Sequence, residues 1–133
     1  MGYRSDIRIR LTKKDFVRLV EEFDKELIQT KKLDWNLFEH LDVYKKEKDT
    51  IICVQNKDND WEEKKVESVY FGWNCVKWYD GYYDVDFIND FIFNCEQYAF
   101  IRIGESMEGD IDSRAEGFDN IEFYYSFADD GGV

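Results

Sequence analysis

Residues 69–104 read VYFGWNCVKWYDGYYDVDFINDFIFNCEQYAFIRIG, and they carry much of the aromatic content of the chain. The apolar run at 66–79 reads as a strand, and Asp80-Gly81 marks a turn. Asp84 is placed to cap a helix: Val85, Ile88, Phe91, Ile92 and Cys95 then share one face, and Asp86 falls in the first turn, where the helix dipole favours a carboxylate. Residues 98–103 return as a strand. A strand, a short helix and a second strand in so few residues call for a helix lying on a sheet.

Working toward the N-terminus, residues 3–11 read as another strand, with Ile7, Ile9 and Leu11 alternating with Arg8 and Arg10. Thr12 then caps a helix through a T-K-K-D box, and Phe16, Leu19, Val20, Phe23 and Leu27 follow at helical spacing. Residues 37–44 and 50–55 read as two strands joined by the charged connection 45–49, a hairpin. The run NKDNDWEEKK at 56–65 reads as a solvated loop. Toward the C-terminus, 104–120 is glycine-containing and acidic, and 121–127 reads as a last strand. The fold class is therefore α+β: a mainly antiparallel sheet with two helices on one face, a ferredoxin-like or related sandwich.

A chain of 133 residues is expected to form one domain, 1–133, large enough to bury a real core. Cys53, Cys75 and Cys95 stand apart in an odd count with no CxxC pair, which argues against a disulfide framework or a zinc site and for buried free thiols. The opening MGYRSDIRIR has no apolar leader core, and no run approaches the length of a membrane span. A cytoplasmic protein is expected.

Charge is unevenly placed. Residues 1–77 hold 16 Lys+Arg and 16 Asp+Glu, whereas residues 78–133 hold 2 and 14, so the whole net charge of -12 belongs to the second part. Its densest run is Glu105, Glu108, Asp110, Asp112, Glu116 and Asp119, interrupted by Arg114. As a helix, 105–119 would cover about 21 Å at roughly 1.5 Å per residue, or about 4 Å per carboxylate, near the roughly 3.4 Å phosphate spacing of one DNA strand. Gly104, Gly109 and Gly117 oppose a continuous helix, and an extended chain would double that spacing. Trp78, Tyr82 and Tyr83 flank the Asp-Gly turn and are of the types that anchor binding surfaces.

Other chemistry is thin. Asn56, Asp58, Asp60 and Glu67 follow calcium-loop spacing, but Trp61 stands where the loop needs glycine. Asp110 and Asp112 begin a D-x-D pattern that Arg114 spoils for a cation. No metal or cofactor is implied. His40 is the one histidine, so no second one completes a relay, and no phosphate-binding glycine loop is present. Direct nucleic-acid binding needs a basic footprint that this chain lacks. Arg4, Arg8 and Arg10 form a local basic stretch, read first as the polar face of a strand and second as an anion site.

The opening MGYRSD at 1–6, VKWYDGY at 76–82 and FIRIGE at 100–105 resemble a set of small proteins from phages and prophages. The resemblance carries no functional residues with it. It implies a context in which a small acidic protein blocks a host nuclease of a restriction or CRISPR system by covering its basic nucleic-acid channel. The expectation is thus a non-enzymatic inhibitor in the host cytoplasm, a DNA mimic, with the six acids above as its field and Trp78, Tyr82 and Tyr83 as its anchors. The alternative is an oligomeric module sequestering a small ligand or nucleotide on Arg4, Arg8 and Arg10. A small enzyme using His40 or a carboxylate pair is a third reading.

Overall fold

The computed structural model describes residues 4–105 and 111–118. Strand β1 (Ser5–Thr12) runs through the middle of the sheet, and its alternation does what the pattern demands: Ile7, Ile9 and Leu11 are fully buried on one face. Each contributes about 2 kcal/mol by leaving water. Thr12 ends the strand and caps α1 (Lys13–Phe23), its hydroxyl accepting the Asp15 amide at 3.2 Å. Leu19, Phe23 and Leu27 are buried from this stripe. The helix continues into a π-helical turn, Asp24–Ile28, where the Gln29 amide donates to the Asp24 carbonyl five residues back.

The segment expected to be a two-strand hairpin at 37–55 is built differently. Leu37–Glu39 is a single 3-10 turn, and β2 is one long strand, Val43–Gln55. It pairs antiparallel with β3 (Trp61–Val76), so the hairpin turn is at Asn56 to Asp60 and the expected loop at 61–65 is strand. The charged run at 45–49 is a β-bulge instead of a connection: Glu47 pairs with Ser68 and Thr50 with Val66, and the extra residue is accommodated by Asp49 at φ 60°. In the true turn the Asn56 side-chain oxygen accepts the amides of Asp58 and Asp60, at 2.9 and 3.0 Å.

Helix α2 (Tyr83–Phe93) follows the Asp80-Gly81 turn, where Gly81 takes φ 95° and donates its amide to Asp86 Oδ1 at 2.9 Å. Its N-cap is Tyr82, two residues before the expected Asp84, which sits inside the first turn and accepts the Val85 amide at 2.9 Å. Strands β4 (Tyr98–Gly104) and β5 (Ile111–Glu116) complete the sheet. Part of the acidic segment is thus an edge strand, so the closely spaced helical row of carboxylates does not form at 111–116. The strand expected at 121–127 lies outside the described residues.

The five strands run in the order β2-β3-β1-β4-β5, every neighbour antiparallel. β3 lies between β1 and β2, and β1 between β3 and β4, so two split β-α-β units interlock. Both helices pack on one face: Leu19, Phe23, Ile88 and Ile92 share a core with Ile7, Ile9, Val69, Phe71, Trp73 and Phe100. The opposite face holds a smaller cluster of Tyr70, Ala99 and Ile101. There the sheet curls until its outer strands meet, Ile52 of β2 bridging Phe118 and the Cys53 amide donating to the Gly117 carbonyl at 3.0 Å. Among the described residues no helix is long and apolar enough to cross a membrane.

Candidate functional site

The residues singled out for an anion site already have partners within the chain. Arg4 is exposed and donates to the Cys75 carbonyl at 3.0 Å. Arg8 is buried, donating to the carbonyls of Ile7 and Trp73 and to Asn74 Oδ1 at 2.9, 3.2 and 2.6 Å. Arg10 is buried too, held by both Glu47 oxygens at 2.9 and 3.3 Å and lying over the Tyr70 ring. Alternation sends these two guanidinium groups to the face the curled hairpin covers, where a charge must find partners inside the protein. Their partners are therefore internal, and that of Arg10 is an acid of β2.

Of the acids, Glu105 is exposed and accepts the Arg4 amide at 2.7 Å. Asp112 takes Arg102 Nε and Nη2 on one oxygen, at 2.9 and 2.8 Å, which neutralises much of its charge. Glu116 is exposed at the end of β5. Glu108, Asp110 and Asp119 lie outside the described residues. Of the aromatics, Trp78 is half-buried, stacked on Trp73 at 5.8 Å between centroids. Tyr82 and Tyr83 are exposed at the start of α2, Tyr83 at 61%. Tyr82 and Trp78 line one shallow hollow together with Trp35, which lies flat against His40 at 3.7 Å and 7°.

Pairing the two helices creates an acidic feature that sequence reading missed. Glu22 of α1 and Glu26 of the π-helical turn line the same hollow of about 400 Å³ as Asp90 of α2. The one cation lining it among the described residues, Arg18, is occupied: it meets Asp15 at 3.3 Å and lies 4.5 Å above the Phe91 ring. Asp86 stands one turn before Asp90, and α2 contains no basic residue at all. The exposed Tyr82 and Tyr83 belong to the N-terminal end of the same helix. The spacing of Glu22 and Glu26 could have marked one face of α1, but only the packing shows that α2 adds its acids to that face.

Among the described residues no group of three or more His, Cys, Asp or Glu side chains could hold a metal ion. The thiols divide by position: Cys53, on the long hairpin, and Cys75, at a positive-φ position at the end of β3, are exposed, contrary to the expectation of burial. Cys95 alone is buried, and burial is the main cause that pushes its thiol up to about 11. A thiol so raised is protonated at neutral pH and is a poor nucleophile. Comparison of the chain with protein-family models, with curated proteins and with solved structures gives no match in any of the three.

Proposed function

We propose that this protein is a non-enzymatic binding protein that occupies a basic, nucleic-acid-binding surface of another protein through its acidic helical layer. The observation that supports this reading is the convergence of Glu22, Glu26 and Asp90 on one seam where Arg18, the cation lining it among the described residues, is already paired. Like charges brought together on a surface cost stability, and a cationic partner turns that cost into attraction. The exposed Tyr82 and Tyr83 at one end of α2 supply apolar anchors beside the charge. The exposed Glu105, just past β4, and Glu116, at the end of β5, extend the field, so the reading does not depend on a helical row at 105–119. A nuclease of a host defence system is the partner that the likeness to phage proteins adds to this physical argument.

Affinity capture from a bacterial lysate at low and at high salt, with the captured proteins identified by mass spectrometry, tests the proposal. A DNA- or RNA-binding protein held at low salt, released at high salt and lost by the combined Glu22→Gln, Glu26→Gln and Asp90→Asn variant is the expected result. Capture unchanged in that variant would remove the acidic seam from the interface.

A further inference from the structure

The shallow hollow shared by Trp35, Trp78 and Tyr82 has a volume of about 290 Å³ and lies where the end of β3 meets the N-terminal end of α2 and the 3-10 turn. Each of these rings is held by another: Trp35 by His40, Trp78 by Trp73, and Tyr82 by Tyr79 at 5.4 Å and 82°. The walls are therefore set before any ligand arrives, although Trp35 and Tyr82 keep 54% and 44% of their surface exposed. Aromatic walls of this kind attract a cation through their ring faces.

Three charged side chains line the same hollow: Asp84, Arg4 and Lys77. Asp84 is half-buried, and burial pushes its carboxyl up. It accepts the Val85 amide, but no Lys or Arg stands within ion-pair distance of it among the described residues. Its charge is short of a positive partner. Arg4 donates to the Cys75 carbonyl at 3.0 Å, and neither its guanidinium nor the Lys77 ammonium has a carboxylate within ion-pair distance among the described residues. Two unpaired cations beside one hollow stand out in a chain where Asp and Glu outnumber Lys and Arg by 30 to 18.

A simple cation on the rings would sit beside Arg4 and Lys77, and a simple anion on those two would sit beside Asp84. A ligand that carries both charges meets all three. Asp84 is the one carboxylate of the lining among the described residues. A primary ammonium brings three N–H donors to so few acceptors, whereas a quaternary ammonium brings none and gains from the ring faces.

We propose that this hollow binds a small zwitterion with a quaternary ammonium at one end and an oxyanion at the other, the chemistry of phosphocholine and glycine betaine. The methylated ammonium lies among Trp35, Trp78 and Tyr82 with Asp84 as its counter-charge, and the phosphate or carboxylate meets Arg4 and Lys77. Such a ligand accounts for a half-buried carboxylate kept without an internal cation.

Calorimetric titration of the intact protein with phosphocholine, glycine betaine, choline, phosphoethanolamine and inorganic phosphate tests this. Both quaternary zwitterions are expected to bind, phosphocholine at least about tenfold more tightly than choline, phosphoethanolamine or phosphate. Trp35→Ala and Asp84→Asn should each weaken phosphocholine at least about tenfold, whereas Lys77→Ala should weaken phosphocholine and leave choline as in the parent. Thermal unfolding checks that each variant folds; all three residues are exposed or half-buried. Phosphatidylcholine vesicles separate the two sources of the group: binding to them as well assigns a lipid headgroup, and binding of the free compounds alone assigns a soluble ligand. No binding of either zwitterion up to about 10 mM, choline or phosphoethanolamine bound as tightly as phosphocholine, or affinity untouched in folded variants would overturn the assignment. The Glu22, Glu26 and Asp90 variant should bind phosphocholine as the parent does, so failure of this proposal and of the acidic-seam proposal are read separately.

Discussion

The thiol of Cys95 is pushed up to about 11, first by burial and then by the Asp15 charge, with Arg18 opposing. Cys53 and Cys75 are exposed. In the native protein a disulfide reagent at neutral pH should therefore titrate two thiols quickly and the third only on unfolding. Three fast thiols would show that the α1–α2 layer opens readily. Asp84 is also raised, because burial outweighs the help of the Val85 amide, while Asp86 adds repulsion. An acid raised in the folded state holds more protons there than in the unfolded chain, so its contribution to stability falls as pH rises from 3.8 through the folded value. Asp84→Asn keeps an acceptor for the Val85 amide and removes the titration. The variant should be the more stable at pH 7, by urea midpoints, with the gap closing as pH falls toward 3.8; an unchanged gap would contradict the sign.

At the level of elements, β3 depends on what it lacks at one position and β1 on what it meets at another. A Cβ on Gly72 would collide with the Ile7 carbonyl oxygen, where β1 and β3 approach beside a register shift. Gly72→Ala should cost about 4 kcal/mol, since backbone on both sides must move; denaturant unfolding would show it, and a loss under about 1 kcal/mol would mean that the strands separate easily. Glu47 holds the buried Arg10, while its own side chain keeps 35% exposure. Glu47→Ala strands the guanidinium and should cost about 3 kcal/mol, the low end for broken buried pairs because water still reaches one side.

These elements also show what local pattern can reveal. The alternation of β1, the Thr12 cap and the stripes of both helices were legible because period and capping are properties of neighbouring residues. The long hairpin was not. Its arm beyond the bulge is solvent-exposed over 61–65, so the strand carries no apolar alternation there, and the charged residues 45–49 look like a connection. Asn89, Phe100 and Arg114 become neighbours only through helix packing and strand pairing, and the seam of Glu22, Glu26 and Asp90 needs two helices side by side. Trp78 and Asp112 were flagged in the sequence for an acidic interface; in the structure both line a hollow between α2 and the β4–β5 edge of the sheet.

For the whole molecule, the proposed role rests on a charge of -12 confined to the second part of the chain and joined by Glu22 of α1 and Glu26 of the π-helical turn. A protein that imitates nucleic acid must use the same surface of its partner that nucleic acid uses. Salt sensitivity alone would not establish that, because any charged interface shows it. The decisive measurement is a competition titration: the partner captured from lysate, loaded with labelled duplex or guide nucleic acid, is titrated with this protein while bound label is followed. The account predicts full displacement, weakened at least about tenfold by the combined Glu22→Gln, Glu26→Gln and Asp90→Asn substitutions. A stable complex holding both the protein and the nucleic acid would contradict it.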